Sequence, residues 1–156
     1  MAPLTRLFIS HAHADDARAL ELRTFLREND RRFACSVVLR GRRRLALTGD
    51  ALIEHVLAPR IRWSQAVVVL LSPAALASEW VRWEVHFAHS CGRPVLVLPL
   101  AGVLDREFHA PFDIGTVVNW DAVDIATAAR RPPALGGPGS ETPASRRISG
   151  SDGDLS

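Results

Sequence analysis

The run Ala66-Val67-Val68-Val69-Leu70-Leu71 constrains this chain more than any other stretch. It is unbroken by polar residues and β-branched at its centre, as suits a strand buried on both faces. Such a strand needs a helical layer on each side, so the run predicts an α/β architecture around a parallel sheet.

The flanking segments fit that architecture. Leu7-Phe8-Ile9 is a short apolar strand ending at Ser10, and His11 to Asp16 is polar enough for a loop and a helix start. From Ala17, Leu20, Leu22, Phe25 and Leu26 recur at helical spacing among Arg18, Glu21, Arg23 and Arg27, and Asn29-Asp30 supplies a stop. Phe33 to Leu39 is expected to be the second strand, followed by an exposed arginine loop, Arg40-Gly41-Arg42-Arg43-Arg44.

Thr48 or Asp50 can cap a second helix carrying Leu52, Ile53, Val56 and Leu57, which Pro59 ends or kinks while Ile61 and Trp63 continue its apolar side. Ala74 to Ser90 reads as a third helix, Pro94 to Leu100 as a buried strand, and Thr116 to Trp120 as a fifth strand before a last helix. Strict β-α alternation implies right-handed crossovers, with ligands beyond the carboxyl ends of the strands. Ser10, Arg40, Ser72 and Leu100 mark that edge.

At 156 residues and 47% hydrophobic, the chain suffices for one domain with a real core. Residues 1–130 are expected to form it. Residues 131–156, rich in Pro, Gly, Ser and charge, are expected to be a disordered tail because they cannot offset their ordering entropy. The net charge is +2 and every basic residue except histidine is an arginine, which excludes Schiff-base and P-loop chemistries that need lysine. Cys35 and Cys91 lack metal-ligand spacing or a disulfide framework and read as buried or idle thiols. No signal pattern opens the chain and no apolar run reaches the roughly 18 residues of a membrane-spanning helix, so a cytoplasmic location is expected.

The segment Ser78-Glu79-Trp80-Val81-Arg82-Trp83-Glu84 is the most suggestive of chemistry. Trp80 and Glu84, one turn apart, place an aromatic ring and a carboxylate on one helix face, a combination able to hold a nucleoside. Spacing alone leaves open that both tryptophans merely pack and that Glu84 is solvated.

The wider pattern resembles the TIR (Toll/interleukin-1 receptor) domain. The residues carrying the resemblance are Phe8-Ile9-Ser10-His11, Asp15-Asp16, Gly49, Ile53, Ile61, Ser64 and Val67 to Ser72, then Ser78-x-Trp80-x-x-x-Glu84, Ala88, Gly92 and Pro94 to Pro99. They span roughly residues 6 to 122, and Trp80-Val81-x-Trp83-Glu84 is most similar to bacterial TIR-like proteins of antiphage defence, the cyclic ADP-ribose-making component of Thoeris systems among them. The Arg40-to-Leu47 loop departs from the family through its arginine cluster.

The expected fold is therefore a flavodoxin-like, three-layer α/β fold with a five-stranded parallel sheet in order 2-1-3-4-5. The resemblance implies cleavage of the nicotinamide–ribose bond of NAD+ as substrate, giving ADP-ribose or a cyclic isomer, with Glu84 catalytic. On that reading Phe8, Ser10, His11, Asp15 and Ser72 belong to the substrate cleft, and Trp80 or Trp83 offers a stacking wall. Arg42 and Arg43, with Arg40 or Arg44, are placed to hold the pyrophosphate. The family further implies self-association through TIR–TIR contacts and a separately encoded effector or sensor, with NAD+ as substrate and no cofactor. The lack of a spanning apolar run and the near-balanced charge around one short arginine run lead to the expectation of no membrane and no nucleic acid.

Two other readings stand beside it. A non-catalytic TIR assembly module needs no intact pocket, although such an adaptor has no need to keep Glu84 or the polar Ser10-His11. Ser10-His11-Ala12-His13-Ala14-Asp15-Asp16 also lies one residue from the HxHxDH motif of metallo-β-lactamase-fold hydrolases, which makes His11, His13 and Asp15 candidate metal ligands. Against that, the motif follows the first strand and ends in Asp16 instead of histidine.

Overall fold

β3 (Ala66–Leu71) is buried along its whole length in the computed structural model, which describes residues 3–39, 49–101, 103 and 111–131. Burying each of its valines and leucines contributes roughly 1.5–3 kcal/mol, which makes this strand the spine of the molecule. It pairs in parallel with β1 (Thr5–Ser10) on one side and β4 (Val95–Pro99) on the other. β2 (Phe33–Val37) and β5 (Thr116–Val117) form the edges, so the five-stranded parallel sheet has the order β2-β1-β3-β4-β5. That is the sheet expected from the sequence.

The alternation of side chains along the strands builds two cores. Phe8, Val67, Val69, Leu71, Val95 and Val97 face one layer of helices, where Leu57, Ile61, Val81 and Val85 meet them. Leu7, Ile9, Val68, Leu70, Leu96 and Leu98 face the opposite layer, against Leu22, Leu26, Ile125 and Ala129. The second layer consists of α1 (Asp16–Asn29) and α6 (Ala122–Arg130).

The first layer departs from the sequence expectation in two places. Where Pro59 was expected to end or kink the helix, the chain runs as α2 (Gly49–Leu52), a π-helical turn over Ile53–Leu57 and α3 (Ala58–Trp63), so the disturbance falls in the turn before the proline. Proline lacks an N–H and its ring crowds the carbonyl four residues back, and the wider turn just before Pro59 takes up that mismatch. Ile61 is buried on this helix, but Trp63 lies 43% exposed.

The expected helix from Ala74 to Ser90 is two helices, α4 (Pro73–Leu76) and α5 (Glu79–Ser90). Ser72 caps the first by accepting from the Ala75 amide, and Ser78 caps the second by accepting from the Val81 amide. A serine that satisfies the free amides of a new first turn favours a break over continuation. α5 ends in a Schellman motif: Gly92 has φ +72°, its amide donates to His89 O, and the Arg93 amide donates to Ala88 O.

Strand bounds shift at the ends, with β2 stopping at Val37 and β5 at Val117. Among the described residues no helix is long and apolar enough to cross a membrane. The arginine loop, including Arg42 and Arg43, and the tail beyond Arg131 lie outside the described residues.

Candidate functional site

In an open parallel sheet the crevice for ligands forms where neighbouring strands send their connections to opposite faces. Here that point lies between β1 and β3, at the carboxyl ends marked by Ser10 and Ser72. α5 packs over β1, β3 and β4 on one face. Its central residue Glu84 thereby reaches the end of β1.

Ser10 Oγ donates a hydrogen bond of 2.6 Å to Glu84 Oε1, joining positions 74 residues apart. Both residues are 1% exposed. A carboxylate is expensive to bury, and a buried hydroxyl aimed at it meets part of that cost. Two residues before Ser10 on the same face of β1, Phe8 lies in the core beneath with Val67 and Val69. It serves as the packed floor of this corner.

The loop after β1 is tied down by carboxylates. His11, 2% exposed, places Nε2 2.7 Å from Asp16 Oδ1, while the exposed His13 places Nδ1 3.4 Å from Asp16 Oδ2. Asp15 turns the other way, its Oδ2 accepting from Ser72 Oγ at 2.5 Å. Ser72 thus links the loop after β1 to the start of α4, because the same oxygen accepts from the Ala75 amide.

The two tryptophans of α5 are half-buried against the core. Trp83 stacks on Phe87 with centroids 4.9 Å apart and planes 10° from parallel, and Arg62 lies 5.1 Å from the far ring of that pair. Trp80 sits one turn before Glu84. Of the residues singled out from sequence, Ser10 and Glu84 therefore meet directly, His11 and Asp15 border them along the loop, and Trp83 is engaged with Phe87.

The metal alternative is not assembled. Asp15 pairs with Ser72 while His11 and His13 share Asp16, and among the described residues no group of three or more His, Cys, Asp and Glu side chains could hold a metal ion. Asp16, the residue by which the sequence departs from the metal motif, is a partner that orients His11. Sequence reading missed that role. Burial pushes the Cys35 thiol up to about 11 against the pull of Arg23 and Arg27, which favours its protonated form at neutral pH.

A five-stranded parallel sheet with a helix-borne glutamate buried at its switch point defines a flavodoxin-like α/β domain with an acid at the ligand edge. Residues 8–104 match the family described as Thoeris protein ThsB, TIR-like domain, and the chain belongs to that family of antiphage defence. A crystal structure of a conserved protein from Enterococcus faecalis V583 superimposes with a TM-score of 0.60, covering 81% of this chain and 97% of that one. At 16% identity it shares the fold alone. No curated protein matches the sequence.

Proposed function

We propose that this protein consumes NAD+, breaking the bond between nicotinamide and ribose, with Glu84 as the catalytic residue. The observation that carries the proposal is the Glu84 carboxylate, 1% exposed at the switch point and held by Ser10 Oγ at 2.6 Å. Family membership in the TIR-like domain of Thoeris ThsB supports it.

The chemistry asks little of the protein. When the C1′–N bond of NAD+ breaks, its electron pair returns to the nicotinamide ring, which leaves as a neutral molecule and needs no protonating acid. Positive charge develops on the ribose ring as an oxocarbenium ion, as in glycoside hydrolysis. A preorganised carboxylate in a water-poor site is the group best suited to stabilise it. Water completes the reaction by adding oxygen at C1′ and releasing a proton, giving ADP-ribose; a ring nitrogen of the substrate's own adenine gives a cyclic product instead.

In this scheme Glu84 contacts the ribose, Ser10 orients the Glu84 carboxylate, and Trp80 offers a ring beside it. Asp16 fixes the ring of His11 at the border of the cleft, and Asp15 with Ser72 braces the loop. Phe8 and Trp83 act through packing. TIR-type self-association and a separately encoded effector or sensor complete the proposal.

The experiment is incubation of the full chain with NAD+ at high protein concentration, with nicotinamide release and product chromatography as readouts. Wild type is expected to release nicotinamide, and Glu84→Ala to lose roughly a hundredfold or more of that rate. Equal release by the two proteins would overturn the assignment. Self-association without any release would favour an assembly module.

A further inference from the structure

The amino edge of the sheet, opposite the Glu84 corner, holds a concave feature of different chemistry. A cavity of about 450 Å³ opens there, walled by Arg6, Arg93, Arg130 and Arg131 together with Gln65 and Gly92. Among the described residues no carboxylate lines it. Among the described residues none of these arginines takes part in an ion pair.

Neutral groups hold these cations in place. Arg6 Nε donates to Trp63 O at 2.8 Å, and its guanidinium lies 6.0 Å from the Trp63 ring. Arg93 donates through Nη1 to Cys91 O at 3.2 Å and through Nη2 to Arg62 O at 2.8 Å, leaving its buried Nε without an acceptor. Arg130 Nη2 reaches Thr5 Oγ1 at 3.4 Å. Arg6, Arg93 and Arg130 are thus positioned by neutral groups, while Asp30, itself paired with Arg32, acts on Arg130 only without direct contact.

α3, α5 and α6 all end at this edge, and helix carboxyl ends carry partial negative charge that disfavours an anion. The carbonyls of Arg62, Trp63 and Cys91 at two of those ends are already taken by the arginine donors. What faces the cavity is a set of like charges whose mutual repulsion an anion relieves.

We propose that this cavity binds a small phosphate-bearing anion, of the class of inorganic pyrophosphate or a nucleoside diphosphate. Guanidinium forks match phosphate oxygens in pairs, and a cavity of about 450 Å³ is of a size typical of small-molecule sites. A nucleic-acid strand needs positive charge spread along a track, whereas here it gathers in one cavity of a chain with net charge +2.

Titration calorimetry of the full chain with inorganic pyrophosphate, and separately with ADP, tests the site. Saturable one-to-one binding that weakens with salt is expected. Arg130→Ala combined with Arg131→Ala, both exposed positions, is expected to weaken it by about tenfold or more while the ligand-free melting temperature stays unchanged. Glu84→Ala is expected to bind pyrophosphate as wild type does, which separates this site from the proposed NAD+ corner. Absence of saturable binding at millimolar pyrophosphate in low salt, equal affinity in the arginine variant, or binding of an oligonucleotide but not of pyrophosphate would each overturn the proposal.

Discussion

Glu84 and Ser10 illustrate what single residues can and cannot announce. Each was identifiable in the sequence as a polar residue beside an apolar element, but their hydrogen bond joins residues 74 positions apart and depends on α5 lying over β1. Ser10→Ala removes a donor from a buried carboxylate and is expected to cost about 1–3 kcal/mol of stability. Urea denaturation measures that loss, and Ser10→Thr, which keeps the hydroxyl, is expected to recover part of it. Asp16 was legible as part of the TIR resemblance and as a residue out of place in a metal motif, but not as a partner of His11 and His13, because contact with both requires the turn that only the folded loop supplies.

Among the elements, strands were the more legible. β3 and β4 are apolar runs whose length and composition already specify burial on both faces, and the structure buries β3 throughout. The helical layer beside them was less legible. Ser78 stands inside a stretch whose apolar spacing reads as one helix, and its power to cap α5 shows only once the chain breaks before it. The carboxyl end of α5 rests on Gly92, whose φ of +72° strains any residue with a Cβ although an added Cβ would meet nothing within 4 Å. Gly92→Ala is therefore expected to cost about 1 kcal/mol through the backbone alone, read as a lower urea midpoint at unchanged slope.

At the scale of the whole molecule, stability is concentrated in the middle of the sheet. β3 is sandwiched between both cores and paired on both sides, whereas β5 is short, exposed and at an edge. Native-state hydrogen exchange is expected to be slowest at the amides of Val67 to Leu71 and fast at Val117. Comparable protection of the two strands would contradict this distribution. The arginines of the amino edge also belong to this scale, since Arg6 and Arg131 stand at opposite ends of the described chain and only the sheet brings them to one cavity.

The sequence by itself determined the α/β architecture and the parallel sheet, because hydrophobic periodicity is a local property that burial then enforces, and its motif residues carried the TIR resemblance that implied the strand order. Tertiary structure alone decided which polar groups meet. It set Ser10 against Glu84, Ser72 against Asp15 and Asp16 against His11, and it gathered the arginines at the far edge. Hydrogen bonds and charge clusters between distant positions leave no periodic trace, for they arise from the geometry with which packed elements present their ends to one another.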